Sequence, residues 1–66
     1  MQLTVNGELR DVENVGTVSE LLAAFKLEHK ILVVELNRTI IERTHYSDTK
    51  LQNGDQVEIV HFVGGG

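Results

Sequence analysis

The segment that most constrains the fold is Thr17-Val18-Ser19-Glu20-Leu21-Leu22-Ala23-Ala24-Phe25-Lys26. Its first four residues form the pattern of a capping box: the Thr17 hydroxyl accepts from the Glu20 N–H, and the Glu20 carboxylate reaches back to the Thr17 N–H. Apolar side chains then recur at the spacing of one helix face, at Val18, Leu21, Leu22 and Phe25. The pattern predicts one amphipathic helix over residues 18–26, whose apolar face needs a sheet to pack on.

The segment before this helix has the pattern of a β-hairpin. Leu3 and Val5 alternate with polar residues, which is the period of a half-buried strand. The dipeptide Asn6-Gly7 favours a two-residue type I′ turn, because both central residues of that turn need positive φ. Residues 8–13 then form the predicted returning strand, with Val12 as its apolar anchor.

The segment after the helix predicts three further strands. Residues 31–36 are rich in β-branched side chains, and residues 39–41 form a short partner beyond a turn at Asn37-Arg38. Residues 42–50 are polar and irregular, with Tyr46 as the expected anchor. The turn signal Asn53-Gly54-Asp55 precedes a last strand over residues 56–63. The order β-β-α-β-β-β predicts a two-layer α+β domain over residues 1–63, a mixed sheet with one helix packed on one face.

Composition limits what so small a domain can do. The chain has 66 residues, no cysteine and a net charge of −4. A chain this short buries only about 60% of its unfolded surface, so a large ligand pocket would consume much of its core. The acidic balance argues against nucleic acid and against an anionic membrane surface as partners. We expect a cytoplasmic protein, because the N-terminal residues do not have the pattern of a secretory signal. We expect no metal site, because the three histidines lack metal-ligand spacing.

The last strand carries the first indication of function. If Val57 and Ile59 pack on the helix, strand alternation turns Val60 and Phe62 toward solvent. Val33 extends the same surface if the strand that begins at Ile31 places Leu32, Val34 and Leu36 inward. Large apolar groups on an outer face are typical of a docking surface for a partner. Two alternatives remain open at this point: a bulge in the strand, or coverage of this face by the loop near Tyr46.

The chain ends in Gly64-Gly65-Gly66, which we expect to form a flexible tail. Glycines can enter a channel too narrow for any side chain, and Gly66 presents a free carboxylate that an enzyme could adenylate. Terminal glycines are more often a frayed end with no role. Here, however, they follow directly on the predicted docking residues Val60 and Phe62.

These features together resemble the ubiquitin-like β-grasp sulfur carrier family, and within it the thiamine-biosynthesis carriers (ThiS). The resemblance covers the whole chain. It is carried by the element order, by the helix start at residues 17–22, by Asn37 with Ile41 and Arg43, by residues 53–59 and by the ending Val60-His61-Phe62-Val63-Gly64-Gly65-Gly66.

The resemblance implies a role as a protein co-substrate and not as an enzyme. An E1-like adenylyltransferase (ThiF) would use ATP and Mg²⁺ to adenylate the Gly66 carboxylate, so that no cofactor is bound by the chain itself. Sulfur from a cysteine desulfurase would then give a thiocarboxylate, which donates sulfur to thiazole synthase (ThiG). Gly64 and Gly65 would supply the thin approach to the active sites. We expect the free chain to be a monomer.

Two other functions use the same fold and the same ending. The small subunit of molybdopterin synthase performs the same thiocarboxylate chemistry, although such chains are usually longer and often carry prolines before the last glycines, and this chain has none. A ubiquitin-like modifier would instead be joined to lysines of target proteins, and nothing in the sequence favours that.

Overall fold

The computed structural model describes residues 1–62 of the chain. It contains strands β1 (Gln2–Val5) and β2 (Glu8–Asp11), helix α1 (Val18–Ala24), strands β3 (Leu32–Leu36), β4 (Thr39–Ile41) and β5 (Gln56–His61), and a 3-10 helix (Arg43–His45) between β4 and β5. The predicted order β-β-α-β-β-β is therefore confirmed. The predicted tail, Gly64-Gly65-Gly66, and Val63 before it lie outside the described residues.

The strands form one mixed sheet in the order β2-β1-β5-β3-β4. The central pair β1–β5 is parallel, and the pairs β1–β2, β3–β5 and β3–β4 are antiparallel. The final strand therefore lies in the middle of the sheet, between the first and the third. Strand β5 therefore has a neighbour on each side in the sheet, and it is also the last strand before the C-terminus.

Two hairpin turns use positive φ at both central residues, as type I′ turns require. In the first, Asn6 and Gly7 have φ of 51° and 81°, which confirms the prediction. In the second, Asn37 and Arg38 have φ of 49° and 71° without the help of any glycine. Asn tolerates the left-handed region better than most residues. Arg38 has no such advantage, so its backbone is held by the pairing of β3 with β4.

The capping box at the start of α1 is present as predicted. The Glu20 N–H donates to the Thr17 hydroxyl at 3.2 Å, and Glu20 Oε1 accepts from the N–H groups of Thr17 and Gly16 at 3.1 Å and 2.7 Å. These bonds satisfy backbone donors that have no partner within the helix, an arrangement that contributes about 1 kcal/mol.

The helix is shorter than predicted, because it ends at Ala24 rather than at residue 26. Lys26 adopts φ of 60°, its N–H donates to the Ala23 carbonyl at 3.0 Å, and the Leu27 N–H donates to the Leu22 carbonyl at 2.8 Å. This pair of bonds is a Schellman motif, which ends a helix with a left-handed residue. Glycine usually occupies that position, so a lysine there gave no stop signal in the sequence.

The core lies between α1 and one face of the sheet. The helix contributes Val18, Leu21 and Leu22, all buried as the apolar spacing predicted. The sheet and loops contribute the remaining buried apolar side chains: Leu3, Val5, Val12, Val15, Val34, Leu51, Val57 and Ile59. Burying one such side chain is worth about 1.5–3 kcal/mol, so this layer supplies most of the driving force for folding.

Three predicted strand boundaries were too generous. Strand β2 ends at Asp11, although Val12 is buried and still exchanges backbone hydrogen bonds of 2.7 Å and 2.8 Å with Met1. Strand β3 begins at Leu32 and not at residue 31. Strand β5 ends at His61, where the described part of the chain is nearly over.

Candidate functional site

The side chains of β5 alternate between the core and the outer face of the sheet, the face opposite α1. Val57 and Ile59 are 0% and 6% exposed, whereas Val60 and Phe62 are 55% and 59% exposed. The predicted placement of these four residues is confirmed. Two large apolar side chains thus face solvent at the end of the strand that leads to the glycine tail.

Val33 lies where the sequence predicted it, beside Val60. The register of β3 with β5 pairs these two residues directly, and Val33 is 37% exposed. The pairing runs without a break from Leu32–His61 to Leu36–Val57, so β5 contains no bulge over this length. The first alternative for this face is therefore wrong.

Coverage by the loop near Tyr46 is also wrong. The Tyr46 carbonyl accepts from the N–H of Ser19 in α1 at 3.0 Å, and its side chain packs against the core cluster. This loop therefore lies on the helix side of the sheet. Burial raises the pKa of Tyr46 above its ordinary value, against the opposing effect of the nearby Arg43 charge, so the phenol stays neutral.

The apolar surface is larger than the sequence predicted. Ile31 is 75% exposed and continues the ladder opposite Phe62, whose N–H donates to the Ile31 carbonyl at 3.0 Å. Ile40 is 65% exposed and pairs with Glu35, which places it diagonally across from Val33. We call this surface the outer patch: Ile31, Val33, Ile40, Val60 and Phe62. Ile31 and Ile40 were missed because a sequence does not show the register in which strands pair.

The outer patch gathers nearly all exposed large apolar side chains of residues 1–62. Only Leu9, 69% exposed on the edge strand β2, lies apart from the patch, because β1 separates β2 from β5. Scattered exposed apolar residues are ordinary, but a contiguous group of five on or next to three neighbouring strands is typical of an interaction surface. The group includes Phe62, which is four residues from the C-terminal Gly66 in the sequence.

Two asparagine side chains hold β5 in this orientation. The Asn6 amide donates to the Ile59 carbonyl at 3.1 Å and accepts from the Ile59 N–H at 2.7 Å, which replaces strand pairing where β1 turns away. On the other side, Asn37 Oδ1 accepts from the Gln56 N–H at 2.9 Å. Sequence reasoning gave both residues only a turn role, because their partners lie far along the chain.

The described residues offer little that could perform catalysis. Residues 1–62 contain no group of three side chains from His, Asp and Glu placed to hold a metal ion. A concavity of about 160 Å³ opens beside the end of α1, lined by Leu22, Leu27, Ile31, Leu32, Glu28, Lys30, Arg43 and Tyr46. That volume is well below the 300–1,000 Å³ of a typical small-molecule site.

Residues 3–66 match the sequence model of the ThiS family, a match that runs to the last glycine. The chain belongs to the ThiS family. As a member, it is a small sulfur carrier of thiamine biosynthesis and not a catalyst, which decides against the molybdopterin and protein-modifier alternatives. The resemblance inferred from the sequence is confirmed.

Individual ThiS relatives agree with this assignment over the full chain. The sulfur carrier protein ThiS of Bacillus subtilis (strain 168) is 45% identical over 65 residues, which cover 97% of this chain and 98% of that protein. The crystal structure of a thiamine biosynthesis protein (ThiS) from Geobacter metallireducens superimposes with a TM-score of 0.84 at 40% identity and covers all of both chains. The ubiquitin-like β-grasp fold is thereby confirmed.

A second kind of relative is much longer. A thiazole synthase of Paramagnetospirillum magneticum is 36% identical over 66 residues, which cover this whole chain but only 20% of that protein. A thiazole synthase of Magnetococcus marinus matches in the same way.

No helix within residues 1–62 is long and apolar enough to cross a membrane.

Proposed function

We propose that the chain carries sulfur as a thiocarboxylate on Gly66, formed after adenylation by an E1-like activating enzyme (ThiF). The observation that carries this proposal is the match to the ThiS family through the final glycine. A chain whose residues 1–62 offer no metal cluster can contribute the substrate atom and leave the chemistry to its partners.

The chemistry proceeds in balanced steps. A Gly66 carboxylate oxygen attacks the α-phosphorus of Mg²⁺-bound ATP and displaces pyrophosphate, which converts an inert carboxylate into an acyl donor. The persulfide sulfur of a cysteine desulfurase then attacks the acyl carbon, and AMP leaves. A thiol breaks the resulting sulfur–sulfur bond and is oxidised to a disulfide, leaving the thiocarboxylate. Gly64 and Gly65 allow backbone alone to enter the narrow active site.

The outer patch is the proposed docking surface for the activating enzyme. Val60, Phe62 and Val33 form its centre, at the end of the strand from which the tail continues. An enzyme that binds this face fixes the point from which the tail continues, which helps to bring Gly66 to its active site. Docking on the helix side would leave the apolar patch in water.

Thiazole synthase (ThiG) is the proposed acceptor of the sulfur. In two relatives named thiazole synthase, a segment similar to this whole chain occupies 20% of a longer polypeptide. Joining two modules in one chain raises their effective concentration toward each other, which is useful where the two act together. A carrier that stands alone as a separate chain would meet its synthase by diffusion.

The proposal is tested by intact mass spectrometry after incubation with the activating enzyme, ATP, Mg²⁺ and a sulfur donor. We expect the mass increase that replacement of one oxygen by sulfur produces. Gly66→Phe should abolish the increase while the circular dichroism spectrum is unchanged, and Asp48→Phe, which places the same side chain at an exposed loop position, should leave the increase intact. An unchanged mass in the wild-type chain, with the enzyme shown to be active on another carrier, would overturn the proposal.

A further inference from the structure

The charges on the outer face of the sheet all have one sign. Outward strand positions carry Asp11 on β2, Glu35 on β3 and Glu58 on β5, and no strand of residues 1–62 places a lysine or arginine on this face. Arg10, the one lysine or arginine within the strands of residues 1–62, points the other way and lies 5.6 Å from the Phe25 ring. The outer face is therefore apolar and acidic.

Two of these acidic residues occupy directly opposite positions on neighbouring strands. Glu35 pairs with Glu58 in the register of β3 with β5. Backbone bonds between Ile31 and Phe62 and between Asn37 and Gln56 fix the alternation of the ladder, which makes Glu35–Glu58 a hydrogen-bonded pair with Cα atoms about 5.5 Å apart. Like charges directly opposite each other destabilise a sheet.

No group within the described chain relieves this repulsion. Residues 1–62 form three ion pairs, at Met1–Asp11, Arg10–Glu8 and His29–Glu28, and none of them involves Glu35 or Glu58. Neither carboxylate accepts a hydrogen bond from a described side chain or backbone group. The pair thus lowers the stability of the free domain and lacks a cation that would compensate.

The acidic pair adjoins the outer patch. Val60 follows Glu58 by two residues on the same face, Val33 precedes Glu35 by two, and Ile40 lies opposite Glu35. A partner that covers the apolar patch must therefore bring some group close to both carboxylates and strip water from them. Unless that group is positively charged, removing the water is costly.

We infer that the activating enzyme places a basic side chain, with arginine geometry the best fit, between Glu35 and Glu58 while an apolar surface covers the outer patch. This inference rests on the proposed function. A guanidinium can bond to two carboxylates at once and is weakly hydrated, which suits a partly dry interface. A second copy of this chain fits badly, because two outer faces would bring acidic pair against acidic pair in a chain of net charge −4.

The arrangement predicts that stability and affinity respond in opposite directions. Replacing Glu35 and Glu58 by glutamine keeps the size of both side chains and removes the repulsion, so the melting temperature of the free domain should rise. The same change removes the attraction for the basic group of the partner, so affinity should fall. A residue with a merely structural role would move both quantities the same way.

The test compares the double variant Glu35→Gln/Glu58→Gln with wild type by calorimetric titration against the purified activating enzyme at low salt. We expect Kd to rise about tenfold, and the difference to shrink at high ionic strength. The control Glu28→Gln/Asp48→Asn removes two exposed carboxylates that lie outside the strands of this sheet and should bind like wild type.

The outcomes separate this inference from the function on which it rests. If wild-type chain is neither bound nor loaded with sulfur, the proposed function fails and the inference falls with it. If wild type is loaded and the double variant binds as tightly at low salt, the inference alone is wrong. Self-association of wild type that the double variant strengthens would show that the face serves a second copy, which also contradicts the inference.

Discussion

The two faces of the sheet are built from the same kinds of side chain and have opposite surroundings. On the inner face of β5, Val57 and Ile59 pack under α1 and are almost fully buried. On the outer face, Val60 and Phe62 are more than half exposed beside the carboxylates of Glu35 and Glu58. Folding therefore depends on the inner face, and the outer face stays accessible to a partner.

The different contributions of the two faces are tested by one substitution on each face of β5. Val57→Ser removes a fully buried apolar side chain and buries a hydroxyl, so we expect a loss of about 3 kcal/mol in the free energy of unfolding. Val60→Ser should cost less than about 1 kcal/mol, because that side chain already meets water. Urea denaturation measures both, and equal losses would refute the assignment of faces.

A smaller effect is expected where β5 is held in its orientation. Asn6→Gly keeps a residue suited to positive φ and removes both bonds to the Ile59 backbone, so stability should fall by about 2 kcal/mol. Faster exchange of the Ile59 amide hydrogen would locate the change. Asn6→Asp retains the acceptor and loses the donor, so its stability should lie between those of Asn6→Gly and wild type. If Asn6→Gly were as stable as wild type, the two bonds from Asn6 to Ile59 would not stabilise the domain.

The helix offers a change that affects folding alone. Thr17→Ala removes the hydroxyl that caps α1 and should cost about 1 kcal/mol. Because α1 covers the inner face, binding of the activating enzyme at a temperature where the variant is folded should equal that of wild type. A loss of affinity as large as that of Val60→Ser would mean that the partner also uses the helix side.

The smallest predicted effect is a gain. Glu58→Gln relieves the repulsion from Glu35 and should raise the free energy of unfolding by about 0.3 kcal/mol at neutral pH and low salt. Glu35→Gln should give a similar gain, and the double variant little more, because there is one repulsion to remove. Precise thermal denaturation in replicate measures this, and additive gains would show that the two carboxylates do not interact.

The sequence predicted those features that depend on neighbours in the chain. The capping box at Thr17 and Glu20, the turn at Asn6-Gly7 and the alternation of Val57 and Val60 all follow from local patterns. Ile31 and Ile40 were missed because only the register of β3 with its neighbours brings them to the outer patch. The helix end was misplaced because Lys26 adopts a conformation usually left to glycine.

The hydrogen bonds of the Asn6 side-chain amide are a further feature that local sequence patterns do not predict. Its dipeptide with Gly7 predicts the turn, but its bonds join residues 53 positions apart. Such a contact exists only once β1 and β5 lie in parallel at the centre of the sheet, and no local pattern indicates that pairing. The glycine tail, residues 64–66, was interpreted from sequence alone and remains a prediction, since it lies outside the described residues.

The rate of thiocarboxylate formation tests directly whether the outer patch presents the tail for activation. The double variant Val33→Ser/Val60→Ser should be loaded at least about tenfold more slowly at limiting concentration than wild type, with most of the loss in KM. The control Leu9→Ser alters a more exposed apolar residue on the edge strand, outside the outer patch, and should be loaded normally. Equal rates for all three chains, each shown to be folded, would contradict the account.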